Sequence, residues 1–558
     1  MAAPEIHLFP AKRDCDDLTQ AKGNNTSNLS IDSEGIVVNG ESPIVYHYMT
    51  FETPLPTPSC LVSTIPSAPP APPQPDLKKY TSPFHWPESR KSFIVWLSCI
   101  ATLFTAYSAG AYSPAAQRMS AEWHVSEVAI LVGTTTFCFG FAIAPMLLAP
   151  FSEINGRYPV FAGAGILFFV CQICCAVTRS YPGMLVARFF VGCGSSVFST
   201  MVGGVVSDLY HAENRNTPMA LFSGGVLFGT GLGPLVSGFI VHNTSWRCLV
   251  VGSVIILFRE TRGSILLSRK ARCLNTWYEQ REALGYIGFD MPTASEKTQS
   301  QRIRWKVKTD EERESITKMI TISVYRPFHL LVTEPVVFFF SLWVAFSWAV
   351  LYLTFGAVPL VFARSHGFTL QESNAVFGAM CTAAVISTIL SIYQDRILGH
   401  YLAASGKNIQ NPGRIRRSID LSCPEGRLYF ACIESVLLPI GLFWFGWTQF
   451  HSIPWIVPAL AVGCATMGIY SIYLATFNYL ADTYHRYASS ALAAQSFCRN
   501  ILGGIFPLVT VAMFNNLTFQ GAASLLGGLG ALLTIVPWVL VFYGPKIRAR
   551  SRFAAEIL

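Results

Sequence analysis

The chain has 558 residues, of which 51% are hydrophobic and only 13% charged, with a mean hydropathy of +0.41. A charged share about half the ~25% of ordinary globular domains excludes a soluble enzyme and indicates a protein that crosses the bilayer many times. The formal charge of +8 is not a nucleic-acid signal, because the Lys and Arg residues gather in particular loops, as membrane orientation requires.

Residues 1–90 lack apolar periodicity and include a proline-rich stretch at 54–75, so they are expected to be a disordered cytosolic tail. No basic start leads into an apolar h-region, so no cleavable signal peptide is expected. Lys78, Lys79, Arg90 and Lys91 precede the first apolar run and hold this end inside. Twelve runs follow, near 92–112, 126–149, 158–178, 184–207, 217–241, 248–258, 333–358, 372–394, 428–449, 453–480, 489–513 and 519–543. Most reach the ~20 residues that a helix needs to cross ~30 Å of hydrocarbon. Trp96, Trp123, Tyr181, Trp246, Trp455 and Tyr543 stand near run ends, as an interfacial belt would.

Charge sets the orientation. With both termini inside, the inward loops carry Arg157, Arg215, Arg262, Arg269, Lys270, Arg272, Arg414, Arg416, Arg417, Arg486, Lys546, Arg548, Arg550 and Arg552. The outward loops carry only Arg118, Arg179, Arg247 and Arg364. The polar loop 259–332 divides the runs six and six. The expected organisation is therefore a tail (1–90), a helical bundle (91–258), a cytosolic linker (259–332), a second bundle (333–545) and a basic cytosolic tail (546–558). Two parallel halves with a site between them is a transporter plan. The 15 Cys are scattered, mostly within apolar runs, and read as small hydrophobes rather than a disulfide framework or metal site.

The fifth run contains SGGVLFGTGLGPLVSG at 223–238, with six glycines and Pro234. In water this would be a poor helix. In a bilayer the backbone must stay helical, and glycines then let neighbouring helices approach closely. The stretch reads either as a tight helix contact or as a transporter's hinge or seal. Between the second and third runs, APFSEINGRYPV places Glu153 and Arg157 on one short inward turn. They are close enough to pair with each other or with a neighbouring helix end, and Gly156 permits the tight turn.

In that loop the sequence resembles the major facilitator superfamily. Pro150, Ser152, Glu153, Gly156 and Arg157 match its fungal form, with Ala149 where Gly is usual and Tyr158 where a basic residue is usual. LVARFFVGCGSS at 185–196 agrees, and the resemblance implies that Arg188 faces a central cavity and assists proton coupling. Gly229, Gly233, Pro234 and Gly238 fall where the superfamily's antiporter motif has them, which implies export. Residues 260–263, 427–447, 478–484 and 489–507 extend the resemblance to fungal drug:proton antiporters with twelve spans. The implied fold is all-α, two six-helix bundles in the membrane.

Charges inside the runs are functional candidates, because they are costly there without a partner. Glu434 lies about six residues into the ninth run and is the candidate proton carrier, or else a protonated packing residue. Glu334 before Pro335 reads as a helix N-terminal charge. Asp208 and Asp482 end inward-running helices and read as loop charges that help gate the inner side. Arg499 stands mid-run and needs a carboxylate or carbonyl partner. Phe104, Tyr107, Trp343, Trp348, Tyr352, Phe377 and Tyr473, with Asn478, are candidate cavity residues, although aromatics in spans more often pack or face lipid. A wide aromatic cavity would suit planar or weakly cationic compounds.

The expected function is proton-coupled export of toxins, drugs or secondary metabolites by a monomer in the plasma membrane, with no cofactor, metal, nucleic acid or enzymatic activity. Two alternatives are a polyamine exporter and a non-transporting membrane protein. The second rests on the sixth run. Residues 248–258 would make a helix of only ~16 Å, about half the ~30 Å core, which suggests missing coding sequence.

Overall fold

The computed structural model describes residues 43–58, 71–211, 214–244, 263–284, 286, 289–291, 299–308, 316–406, 424–484, 487–551 and 553. The chain divides into two compact units, a small one within residues 1–46, 54–72 and 279–304, and a large one comprising 47–53, 73–278 and 305–558.

In the small unit, strand Phe289–Met291 pairs antiparallel with Thr57–Pro58 on one side and Gln299–Gln301 on the other. Backbone pairing thus gives structure to part of a proline-rich stretch in which side-chain pattern promised none. Beside it, Glu282 accepts hydrogen bonds from Arg304 Nη1 and Nη2 at 2.8 and 2.7 Å and from Arg302 Nη2 at 2.8 Å.

The large unit is helical. Among the described residues, ten helical stretches are long and apolar enough to cross a membrane. They follow the apolar runs of the sequence: Glu88–Gly110 (first), Glu127–Asn155 (second), Arg157–Val177 (third), Tyr181–Leu209 (fourth), Asn216–Asn243 (fifth), Pro335–His366 (seventh), Leu370–Gln394 (eighth), Tyr429–Trp447 (ninth), Ile456–Tyr484 (tenth) and Ala488–Arg550. The last holds the eleventh and twelfth runs and is divided at Thr518, whose φ of 62° and ψ of 166° leave the helical region. The sixth run, 248–258, with Trp246, lies outside the described residues.

The second span packs on the fourth, the third on the fourth and the first on the fifth. In the other half, the seventh packs on the eleventh, and the ninth on the tenth and twelfth. The halves meet where the fifth span lies against the eighth and the second against the eleventh. Large apolar side chains such as Ile166, Ile433 and Phe542 are 66–69% exposed, a surface that water would penalise and lipid would cover. Trp96, Trp455 and Tyr543 are exposed as the belt requires.

Two local differences from expectation have physical causes. The linker is not polar to its end: Ile316–Thr333 is a helix packed against the second, seventh and eleventh spans, because Leu330 and its apolar neighbours need cover. Glu334 precedes the seventh span but caps no backbone N–H with its side chain. Its carboxylate is instead buried and accepts the Tyr484 hydroxyl at 3.1 Å.

Candidate functional site

The glycine-rich fifth span has two working faces. A Cβ at Gly229 would collide with the Leu103 carbonyl, and one at Gly233 would sit 2.6 Å from the Tyr107 carbonyl. This face is pressed onto the first span, and a Cβ on Gly110 there would lie 2.7 Å from Pro234 Cδ. The other face turns to the eighth span. There a Cβ on Gly224 would collide with Thr388, on Gly231 would meet Met380 at 3.1 Å, and on Gly238 would meet Asn374 Cβ at 2.5 Å. Gly224, Gly231 and Gly238 recur every seven residues, two helical turns, so they form one stripe along the seam between the halves.

Where the second span ends, Gly156 adopts φ 94°, which only glycine tolerates readily, and the third span begins at Arg157. Arg157 Nε donates to Asp208 Oδ2 at 2.6 Å, with the arginine side chain 7% exposed. The sequence placed both residues at a gate without pairing them. The side chain of Glu153, the expected neighbour, lies outside the described residues. Gly204 makes room for the guanidinium, since a Cβ there would lie 2.6 Å from Arg157 Nη2.

Two arginines are buried in the middle. Arg188 donates through Nη1 to the Ser108 carbonyl at 3.2 Å, and through Nε at 3.4 Å to that of Gly133. Its Cζ lies 4.4 Å from the Tyr112 ring centre and 4.7 Å from that of Phe137. Tyr107, Ser108 and Tyr112 join it in lining a cavity of about 40 Å³. Arg499 is 0% exposed, with Cζ 4.5 Å from the Trp348 ring and 5.0 Å from the Tyr473 ring. Those two rings stack on each other at 5.1 Å. Cys138 of the second span and Tyr352 of the seventh are buried against Gly504 and Gly503 of the eleventh.

The remaining candidates are more dispersed. Glu434 accepts from the Gln394 side-chain amide of the eighth span and is half-buried. Trp343 is buried edge-on to Phe340 and so packs within the second half. Phe377 is buried at 6.0 Å from Phe355, and Phe104 is half-buried in the first span. Asn478 donates to Asn216 Oδ1 at 3.4 Å, across the halves, and Asp482 is half-buried in the last turns of the tenth span. Tyr470, which sequence reasoning did not single out, donates to the Ala220 carbonyl at 3.1 Å. Glu425 and Arg548 were also missed as a pair. Phe222 of the fifth span lies 6.5 Å from Tyr473 and 6.4 Å from Phe477, so aromatic contact continues across the seam. Among the described residues no cluster of His, Cys, Asp and Glu could hold a metal ion.

Comparison with known proteins is consistent with this geometry. The family model described as Major Facilitator Superfamily matches residues 98–507. The efflux pump atB of Aspergillus terreus is 33% identical over 422 residues, covering 74% of this chain and 83% of its own. The major facilitator superfamily multidrug transporter mdrA of Aspergillus fumigatus is 30% identical over 485 residues, covering 85% of this chain and 74% of its own. A solved structure of the proton:xylose symporter XylE superimposes with a TM-score of 0.52 at 15% identity, covering 82% of this chain and 97% of its own, which bears on the fold alone. The match over most of the chain and the similarity to these transporters show that this chain belongs to the major facilitator superfamily.

Proposed function

We propose that the chain exports small organic compounds, drugs, toxins or secondary metabolites, across the plasma membrane by alternating access coupled to protons. The observation that carries this reading is the fifth span, fixed to the first by one glycine face and set against the eighth by another. A smooth, side-chain-poor seam between two halves can open and close without dragging interlocked side chains past each other. The names of the relatives, an efflux pump and a multidrug transporter, support the export direction. In this reading both termini lie in the cytosol, the protein acts as a monomer in lipid, and it catalyses no chemical reaction. Arg188 and Glu434 serve proton coupling. Glu153, Gly156, Arg157 and Asp208 serve the inner gate, with Gly229, Gly233, Pro234 and Gly238 as its hinge. Tyr107, Tyr352, Tyr473, Asn478 and Arg499 face the compound.

The test is expression in a fungal cell stripped of its own pumps, grown against a panel of toxic compounds with and without a proton-gradient uncoupler. Resistance that the uncoupler abolishes supports the reading. No protection against any compound, with the protein present in the plasma membrane, would sink it. A non-transporting product is the alternative favoured by the eleven residues 248–258, and sequencing the transcript between the codons for Trp246 and Arg259 decides it. A polyamine exporter would have to bring a polycation towards Arg188 and Arg499, which like-charge repulsion opposes.

A further inference from the structure

Arg499 sits where a bilayer protein can least leave a charge alone, yet its Nε and Nη1 have no protein partner. One turn earlier on the same helix, Gln495 is also 0% exposed, and neither its amide nitrogen nor its oxygen is bonded. The Tyr473 hydroxyl, beside the guanidinium, is likewise unbonded and buried. In the other half, Arg188 Nη2 and Ser108 Oγ are in the same condition. Carboxylates that might have served are engaged elsewhere: Glu334 with Tyr484, Glu425 with Arg548, Glu434 with Gln394 and Asp208 with Arg157.

A buried polar group without a partner costs free energy, and a buried charge costs more. The Trp348 and Tyr473 rings offset part of that for Arg499, since a cation over an aromatic face is attracted to it. They cannot satisfy the N–H donors. A planar fork of donors fits a carboxylate, to which it bonds through two parallel contacts. The stacked rings offer an aromatic body a face to lie on. Two guanidiniums with no buried acid between them among the described residues also repel a cationic guest, contrary to the weakly cationic compounds that the aromatic content alone suggests.

We infer that the unsatisfied cluster of Arg499, Gln495 and Tyr473 is a recognition site for the carboxylate of an aromatic organic anion, with Arg188 supplying a second positive charge from the opposite half. This rests on the export reading for its physiological meaning, but binding can be measured apart from transport. Arg499 then acts as a specificity residue: it selects anions over neutral and cationic compounds of the same shape.

The experiment uses the full chain in lipid nanodiscs and three naphthalene probes of matched shape: 2-naphthoate, 2-naphthamide and 2-naphthylmethylammonium. Binding of 2-naphthoate at least tenfold tighter than the ammonium probe is expected. Arg499→Gln should weaken naphthoate at least tenfold and the amide less than threefold, while Arg499→Lys recovers part of the loss. Gln495→Glu places a carboxylate one turn from the arginine and should abolish naphthoate binding with the guanidinium still present. That variant carries the test if Arg499→Gln does not yield folded protein. Equal affinity for anion and cation, absence of naphthoate binding, or naphthoate affinity unchanged in Gln495→Glu each overturns the inference. Export by intact cells is scored separately. A chain that exports neutral compounds but shows no anion preference loses only this inference. A chain that binds naphthoate but protects cells from nothing loses only the export reading.

Discussion

Arg548 Nε and Nη2 donate to Oε1 and Oε2 of Glu425 at 2.9 and 2.8 Å, so the end of the twelfth span is bound through a two-point ion pair to the start of the ninth. Glu425 is 4% exposed and lies 3.5 Å from the Tyr479 hydroxyl. Breaking such a pair leaves a charge buried and uncompensated, which typically costs about 3–5 kcal/mol. Arg548→Ala should therefore lower the thermal midpoint of the purified protein markedly, and Glu425→Gln should lower it less, since the arginine left behind is nearer the surface. Equal midpoints for Arg548→Ala and wild type would show that the pair contributes nothing.

The Arg157–Asp208 pair joins the 2–3 loop to the end of the fourth span. Asp208→Asn should reduce export, and a double-mutant cycle with Arg157→Ala should give a coupling of about 1–3 kcal/mol in thermal unfolding, as expected of contacting residues. Additive effects within ~0.3 kcal/mol would mean that the contact is incidental.

The two glycine faces predict two different failures. Gly229→Val drives a side chain into the Leu103 backbone of the same half, so the yield of monodisperse protein should fall. Gly238→Val meets Asn374 of the other half, so the protein should fold but lose most of its transport by holding the halves apart. The readouts are size-exclusion profile and export, measured on both variants. Loss of folding in both, or loss of export in neither, would contradict the assignment of the faces.

Glu434→Gln keeps a side chain able to bond to Gln394 but unable to take up or release a proton at neutral pH. If Glu434 carries the coupling proton, gradient-driven export should drop at least tenfold and its pH profile should flatten, while downhill exchange continues. Wild-type gradient-driven rates across a pH series would remove Glu434 from the coupling pathway.

Burial would raise the Glu282 carboxyl, but hydrogen bonds from Arg304 and Arg302 outweigh it and hold the group below the usual carboxylate range. A folded pKa below the unfolded one gives stabilisation that is present above the unfolded value, about 4.3, and is lost as pH falls through the folded value. Limited proteolysis of the full chain should cut the linker faster in Glu282→Gln than in wild type at pH 7. That difference should disappear on acidification through the carboxylate range. A difference that grows on acidification would reverse the sign and refute the arrangement.

Much of the fold was legible because a bilayer demands long apolar helices, and hydropathy alone marks them. The second span is read to within a few residues, and so is the fifth despite its glycines. What the sequence does not carry is which distant charges meet. Arg157 pairs with Asp208, 51 residues on. Glu425 and Arg548 lie 123 residues apart, and neither is unusual in its local sequence. Glu334 reads as a helix N-terminal charge and does stand at the N-terminus of the seventh span, but its partner Tyr484 comes from another span. Arg499 was visible as a mid-span charge, but that its Nε and Nη1 find no partner among the described residues could be seen only after the helices were packed.

The helix Ile316–Thr333 rests on the second span on one side and the eleventh on the other. If export proceeds by parting those spans, this helix loses one flank in the same event and the two share a single barrier. The connector between the halves would then set part of the timing rather than act as a passive tether, and substitutions along Ile316–Thr333 would change the speed of export while leaving the choice of compound unchanged.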